Sequence, residues 1–406
     1  MFRAFRHPSF RLLWTVVILC QLGFWFSSVS FQWVVAHRTG NDPLALGLLY
    51  CATLAPFLLL SLPAGVLADT RDRRRLLTVT QLCAVGLAVT AALLAALADL
   101  PVPLVLPLAF LAGTVIVFVS TTSQALTANV VPLEDLSSAV PLQAAGTNLA
   151  RITGPALAGP VILLGGPTGA FGLYAGFAVV AALLTASIVA TRNADRIRME
   201  PILRRLSGGL RHARERPPAV PALLIVAATS IFGSSYLGQT PVLAAQVSPD
   251  SGQAYLTLMT LSGLGALVGV LMVARRGLRM SLTPALLQLI VLGVVVGAIG
   301  SASSFPLMAA LIVMGGGLTF SIMNSINSML QHLVDDEQRG RVLSLYFVGW
   351  GGLLPLGGLG LGALVRLLGP AGAFALYGGL AVLSAVSILL LLRRTAGGLD
   401  GAAEPA

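Results

Sequence analysis

"SLPAGVLADTRDRRRLLTVTQ", residues 61–81, sets Asp69 and four arginines, Arg71, Arg73, Arg74 and Arg75, between two apolar runs. A basic loop of this kind between greasy segments makes sense only in relation to its flanks. Of the 406 residues, 56% are hydrophobic and 10% charged, against about 25% charged in ordinary soluble domains. The charges are also segregated. Residues 152–191, 280–334 and 342–365 hold no Asp, Glu, Lys or Arg, and 217–274 hold only Asp250. A helix crossing a bilayer needs roughly 20 consecutive apolar residues, and these blocks supply them. A transmembrane β-barrel would instead show short alternating segments. The chain therefore reads as a polytopic α-helical membrane protein.

Cutting at Gly, Pro and charge clusters gives twelve apolar segments: 12–36, 44–68, 76–98, 104–128, 139–163, 168–191, 219–245, 253–274, 282–301, 306–331, 342–366 and 371–392. The first is longer than a signal-peptide core and lacks a small-residue cleavage site, so it is expected to remain as a helix. Cys20, Cys51 and Cys83 fall inside these segments and read as small buried residues, not as a disulfide or zinc framework. All 25 basic residues are arginine. With the N-terminus in the cytoplasm, 22 of the 25 fall on the cytoplasmic side: Arg3, Arg6 and Arg11, the four of the opening stretch, eight between 192 and 216, then Arg275, Arg276, Arg279, Arg339, Arg341, Arg393 and Arg394. The positive-inside rule thus orients the chain, with both termini cytoplasmic. It also accounts for the net charge of +10 without nucleic acid.

Internal repeats give the architecture. "AGVLADTRDRRRLL" (64–77) lies on "VGVLMVARRGLRMS" (268–281) at an offset of 204, and "NVVPLEDLSSAV" (129–140) lies on "HLVDDEQRGRVL" (332–343) at 203. Parallel six-helix repeats are a transporter layout. The expected division is a first bundle over 1–191, a linker over 192–218, a second bundle over 219–394 and a tail over 395–406.

At this point "GVLADTRDRRRLL" resembles the loop signature of the major facilitator superfamily, G-x-L-A-D-R-x-G-R-R/K. Gly65, Leu67, Ala68, Asp69, Arg73 and Arg74 match it, while Thr70 and Asp72 depart from it. "QWVVAHRTGNDPLALGLLY", "NLARITGPALAG" and "DDEQRGRVLSLYFVGWGGLLPLG" are similar to the bacterial subgroup that includes enterobactin and drug exporters. The resemblance covers about Phe5 to Arg394. It implies an all-α fold of twelve transmembrane helices in two pseudo-symmetric six-helix bundles. It also implies that Asp69 latches onto the start of the eleventh span, near Arg339 and Arg341, when the carrier opens outward. The physics agrees: Gly65 permits close helix approach, and a carboxylate is stabilised at a helix N-terminus. The repeat suggests a second latch, Glu134 and Asp135 against Arg275 and Arg276.

Arg151 lies mid-span, where a cation is costly and commonly functional; it reads either as an anion-attracting group or as an arginine held by carbonyls, Gln143 or Asn148. In this superfamily spans 1, 4, 7 and 10 line the cavity. They offer Gln21, Trp25, Ser28 and Gln32 on one helical face, with Gln124, Tyr236, Gln239, Asn324 and Asn327. Each of these is equally readable as helix–helix glue. No span holds a central Asp or Glu, so a coupling proton would ride on Asp69 or on the cargo. No G-x-x-x-x-G-K-[ST] loop is present. The expected function is a secondary active exporter of amphipathic small molecules in the bacterial inner membrane. It is driven by a proton or other ion gradient, needs no cofactor or metal and works as a monomer. An uptake symporter of the same fold, or an integral-membrane lipid- or prenyl-modifying enzyme using "DDE" (335–337), are the alternatives.

Overall fold

A computed structural model of the chain describes residues 3–97, 100–189, 208, 210–214, 218–276, 282–334 and 336–400. Among these every regular element is helical. In the first half a 3-10 turn, Arg3–Arg6, precedes α1 (Pro8–Thr39), α2 (Pro43–Leu59), α3 (Ser61–Thr70), α4 (Arg73–Ala96), α5 (Val102–Val130) and α6 (Leu136–Ala186). The second half holds α7 (Ala219–Ala228), α8 (Thr240–Val247), α9 (Ser251–Arg276), α10 (Thr283–Ser301), α11 (Phe305–Leu333), α12 (Asp336–Phe347) and α13 (Leu354–Asp400). The expected linker and tail lie largely outside the described residues.

Local chemistry sets the helix ends. Proline opens α1, where a missing N–H costs nothing. Gly40 ends it in the left-handed region, φ 61°, with its N–H on the Ala36 carbonyl. Asp42 caps α2 through the Ala45 N–H at 3.1 Å, and Asp72 caps α4 through the Arg75 N–H at 2.7 Å. Asp72, a departure from the family signature, is thus the residue that starts the third apolar segment.

Among the described residues nine helices are long and apolar enough to cross a membrane, or ten if α2 and α3, bent by 46° at their junction, form one span. Two stretches run 49 and 51 residues, more than twice the length a bilayer core requires. Each is broken at a glycine with positive φ, Gly166 (64°) and Gly369 (71°). Dividing them there, with α2 and α3 counted as one span, would give twelve, the number read from the sequence. The breaks fall in "GPTGAFGLY" (166–174) and "GPAGAFALY" (369–377), again 203 residues apart. Phe171 and Phe374 are fully buried, and Tyr174 and Tyr377 nearly so. This pair is a third match between the two repeats, at the same offset as the second.

The outside of the molecule is apolar: Leu164, Leu367 and Leu97 are 92%, 77% and 75% exposed, as suits side chains facing lipid. Cys83 shares that surface, contrary to its expected burial, while Cys20 is buried and Cys51 half-buried. Inside, glycine lets backbones touch. A Cβ on Gly113 of α5 would stand 2.1 Å from the Thr53 carbonyl of α2, and one on Gly316 of α11 would stand 2.5 Å from the Ser262 carbonyl of α9. These two glycines are also 203 residues apart. Between the halves, α2 packs on α13, where a Gly47 Cβ would lie 3.0 Å from the Gly358 carbonyl; α6 packs on α9, where a Gly159 Cβ would lie 2.9 Å from the Leu256 carbonyl.

Gly113→Val is therefore expected to cost about 1–3 kcal/mol by forcing α5 from α2, read as a lowered thermal unfolding midpoint in detergent. Gly165→Ala, with no atom within 4 Å of the added carbon, is the control and should leave the midpoint unchanged.

Candidate functional site

The loop of the opening stretch is tied to its own half. The Arg73 guanidinium donates to the carbonyls of Ala68 and Ala125, both at 3.0 Å, and to Asn129 Oδ1 at 2.5 Å. It also pairs with Asp69 at 3.6 Å. The second Asp69 oxygen, Oδ2, is buried with no hydrogen-bond partner among the described residues. Arg74 donates to the Ala186 carbonyl at the end of α6. The N-terminus of α1, the α3–α4 loop and both ends of α6 therefore share one face, the basic face. Helix α3 packs on α2, α4 and α5. Gly65 departs from expectation: a Cβ there would meet nothing within 4 Å, so the close approach expected of it is absent from this structure. The side chains of Arg339 and Arg341 lie outside the described residues.

Asp135, which the sequence pairs with Arg275 and Arg276, receives His7 Nε2 at 2.8 Å. The Ala4 N–H donates to Ser138 Oγ at 3.0 Å, and Phe5 stands edge-on to Trp14 at 5.2 Å. The N-terminal turn is thus a plug on the start of α6. Glu134 is exposed, and the Arg275 and Arg276 side chains are not among those described. His7 carried no motif that would have marked it in the sequence.

At the other end of the spans the two halves are joined. Gln32 Nε2 donates to the carbonyls of Leu237 and Gly238, both at 2.9 Å, and Gln32 Oε1 accepts from the Tyr255 hydroxyl at 2.8 Å. Gln239 Nε2 donates to the Pro43 carbonyl at 3.0 Å, and Thr260 lies 3.3 Å from the Ala156 carbonyl. Gln32 and Gln239, expected to line a cavity, are both buried in this seam. Tyr236 is also fully buried, with its hydroxyl against Gly315 of its own half. Beside the seam His37 stacks on Trp33, ring centroids 4.0 Å apart.

Between seam and basic face lies Arg151. Its guanidinium sits 5.5 Å from the centroid of Trp350, in the opposite half, a cation–π distance. Trp350 stands in a π-helical turn, Val348–Gly352, edge-on to Phe320 at 5.9 Å. Tyr346, one turn earlier, donates to the Met323 carbonyl at 3.1 Å. On the first-half side, Trp25 packs on Gly154, one turn beyond Arg151, where a Cβ would come within 2.6 Å of the Trp25 side chain. The Trp25 indole N–H and both polar side-chain atoms of Gln143 are buried without hydrogen-bond partners among the described residues. Gln21 is buried, and Ser28, Asn324 and Asn327 are half-buried. Asn324 Nδ2 is spent on the Phe320 carbonyl of its own helix at 2.8 Å, and Asn327 accepts from Gln331. Gln124 is exposed. The structure therefore brings Arg151, Trp25 and Trp350 into one neighbourhood and assigns Gln32 and Gln239 to the seam. Trp350 and Phe320, unselected in the sequence, complete the aromatic wall.

The architecture matches known carriers. Solved structures of the nucleoside transporter NupG (TM-score 0.71, 12% identity, 95% of this chain and 99% of that one) and of a D-xylose–proton symporter (TM-score 0.70, 12% identity, 93% and 96%) share the fold. The staphyloferrin A transporter of Staphylococcus aureus (strain NCTC 8325 / PS 47) is 26% identical over 367 residues, 88% of this chain and 89% of its own. A family model described as transmembrane secretion effector matches residues 1–400. The paired breaks, the repeat at 203 residues and this match over nearly the whole length converge: the chain belongs to the transmembrane secretion effector family of the major facilitator superfamily and is a multi-pass membrane transporter, not an enzyme.

Proposed function

We propose that the protein exports amphipathic anionic or phenolate-bearing molecules from the cytoplasm by alternating access. The observation that carries this reading is Arg151: a guanidinium at mid-span that faces an indole of the opposite half, while the acids among the described residues stand at helix ends and turns. A cation held in lipid by a π-face alone is costly. A cargo anion reaching Arg151 gains a charge-assisted hydrogen bond, its rings meet Trp25, Trp350 and Phe320, and its polar atoms meet the unpartnered Gln143 and Trp25 groups. Apolar walls with a few placed polar groups suit such molecules. A relative named as a staphyloferrin A transporter supports siderophores as one cargo class in this reading, beside drugs and secondary metabolites. The shared fold of the D-xylose–proton symporter supports uptake as the second reading.

The basic face is cytoplasmic in this reading, in the bacterial inner membrane, with both termini inside. With the halves joined at the far end, the cargo pocket of this reading lies beside Arg151, Trp25 and Trp350 and opens to the cytosol. When the cycle turns, Asp69 exchanges Arg73 for the start of α12 with Arg339 and Arg341, and Gly65, now facing open space, becomes the contact point. Asp135 likewise exchanges His7 for Arg275 and Arg276. A proton carried by Asp69 or by the cargo couples the cycle to the gradient, and one copy of the chain suffices.

Comparing metabolites in the medium of cells with and without the protein tests export directly, with gradient collapse as control; cargo that accumulates inside only when the protein is present would establish uptake instead. In proteoliposomes, Arg151→Gln is expected to slow transport of an anionic cargo by at least about tenfold, equivalent to about 1.4 kcal/mol, and to spare neutral cargo; equal loss for both would remove Arg151 from selectivity. Asp69→Asn is expected to stop turnover while leaving cargo binding intact, measured as initial rate against equilibrium binding. Unchanged turnover would remove the latch.

A further inference from the structure

The second half opens on a helix that does not run straight. Between α7 and α8 a π turn, Thr229–Gly233, and a 3-10 turn, Ser235–Gln239, replace regular helix. Such a break frees carbonyls, and in a membrane each must find a donor. Local serines serve some: Ser234 Oγ donates to the Thr229 carbonyl at 3.1 Å and Ser235 Oγ to the Ile231 carbonyl at 2.6 Å. The Gly238 carbonyl is served from the other half of the molecule by the Gln32 amide, which also donates to the Leu237 carbonyl, where the Thr240 hydroxyl is a second donor at 3.1 Å. The oxygen of that amide is taken by Tyr255, whose hydroxyl also lies 3.1 Å from the Val29 carbonyl. One amide and one phenol thus link three elements, α1, the break and α9, across the seam. Gln32 is 8% exposed and Tyr255 1%. Tyr50 lies flat on the same break, 3.0 Å from where a Gly238 Cβ would be. Gln32 is seven residues, roughly 10 Å, from the end of α1 farthest from the basic face.

We propose that Gln32 and Tyr255 form the clasp of the gate opposite the basic face, and that it is made entirely of neutral groups. The proposal rests on the alternating-access reading above and adds the fastener of the second gate. All four contacts must break for the pocket to open on that side. The donors and acceptors then exposed face water, which replaces them, so each bond contributes little net free energy and the gate can open reversibly. Charged fasteners weaken as salt rises; an amide on carbonyls does not. The Gln32–Tyr255 clasp is therefore itself indifferent to ionic strength, whereas ions govern the basic face.

The test uses the full chain in nanodiscs, with Cys20, Cys51 and Cys83 replaced by serine. Spin labels at Arg38→Cys and Gln246→Cys report the clasped face; labels at Thr70→Cys and His332→Cys report the basic face. Tyr255→Phe and Gln32→Leu are each expected to shift the ratio of clasped to open molecules by about three- to tenfold, lengthening the first distance and shortening the second. The double variant should shift it by less than the product of the two, because both residues serve one clasp. The fold-change produced by Tyr255→Phe should be the same at about 0.05 and at about 0.5 M salt, because the contacts it removes are neutral. Unaltered distances in both single variants would overturn the proposal, as would lengthening at the clasped face with no shortening at the basic one. Tyr255→Phe removes a single oxygen, so the test survives should Gln32→Leu fail to fold. Distances do not depend on cargo, so a null result here leaves the export reading standing, and a failure of export leaves the distances interpretable.

Discussion

Every backbone N–H and C=O placed in hydrocarbon has to find its partner within the protein. Most find one inside their own helix, and the structure departs from regular helix at only a few places. Those places organise everything else. At Gly40 a left-handed cap takes up the loose end of α1. At Thr229–Gln239 serine hydroxyls and the Gln32 amide take up the freed carbonyls. The π turn at Val348–Gly352 carries Trp350 to Arg151, and its Gly351 and Gly352 lie against Phe57 and Leu58 of the other half. The breaks at Thr229–Gln239 and Val348–Gly352 thus fall where the two halves meet.

Glycine supplies the remaining contact. Where α2 meets α13 and α6 meets α9, the nearest neighbours of Gly47 and Gly159 include backbone carbonyls, so helices of opposite halves touch main chain to main chain. Such surfaces hold by dispersion and shape and carry no charge to desolvate when they part. Arg151 is the exception, a cation lodged against an indole between the same halves.

The helical class and the two bundles were legible in the sequence because lipid allows so few solutions. Apolar length, charge segregation and the repeat at 203–204 residues each point to the same layout, and the breaks at Gly166 and Gly369 fall at the boundaries those patterns suggest. The bend at Leu60 falls inside the single segment read over 44–68, and Pro56 lies inside α2 without ending it. The site was harder. Gln32, Trp25 and Arg151 stood out as polar groups that lipid penalises, but the sequence left open whether each meets cargo or protein. Gln32 meets backbone carbonyls of a helix break, and a carbonyl has no residue identity to read. Asp135 finds His7 because an N-terminal turn folds back, a contact 128 residues apart in sequence that no local pattern encodes. Trp350 was invisible for a similar reason: a π turn rotates it toward Arg151, and periodicity assumes regular helix.

The absence of lysine from the chain has a practical side. A guanidinium keeps its proton at any pH a cell can survive, so the positive belt at the loop ends holds its sign whether the surroundings acidify or not. Acyl-transfer reagents that consume primary amines find none on the side chains of this molecule. The belt is consequently closed to acetylation, the common enzymatic route for erasing such charge.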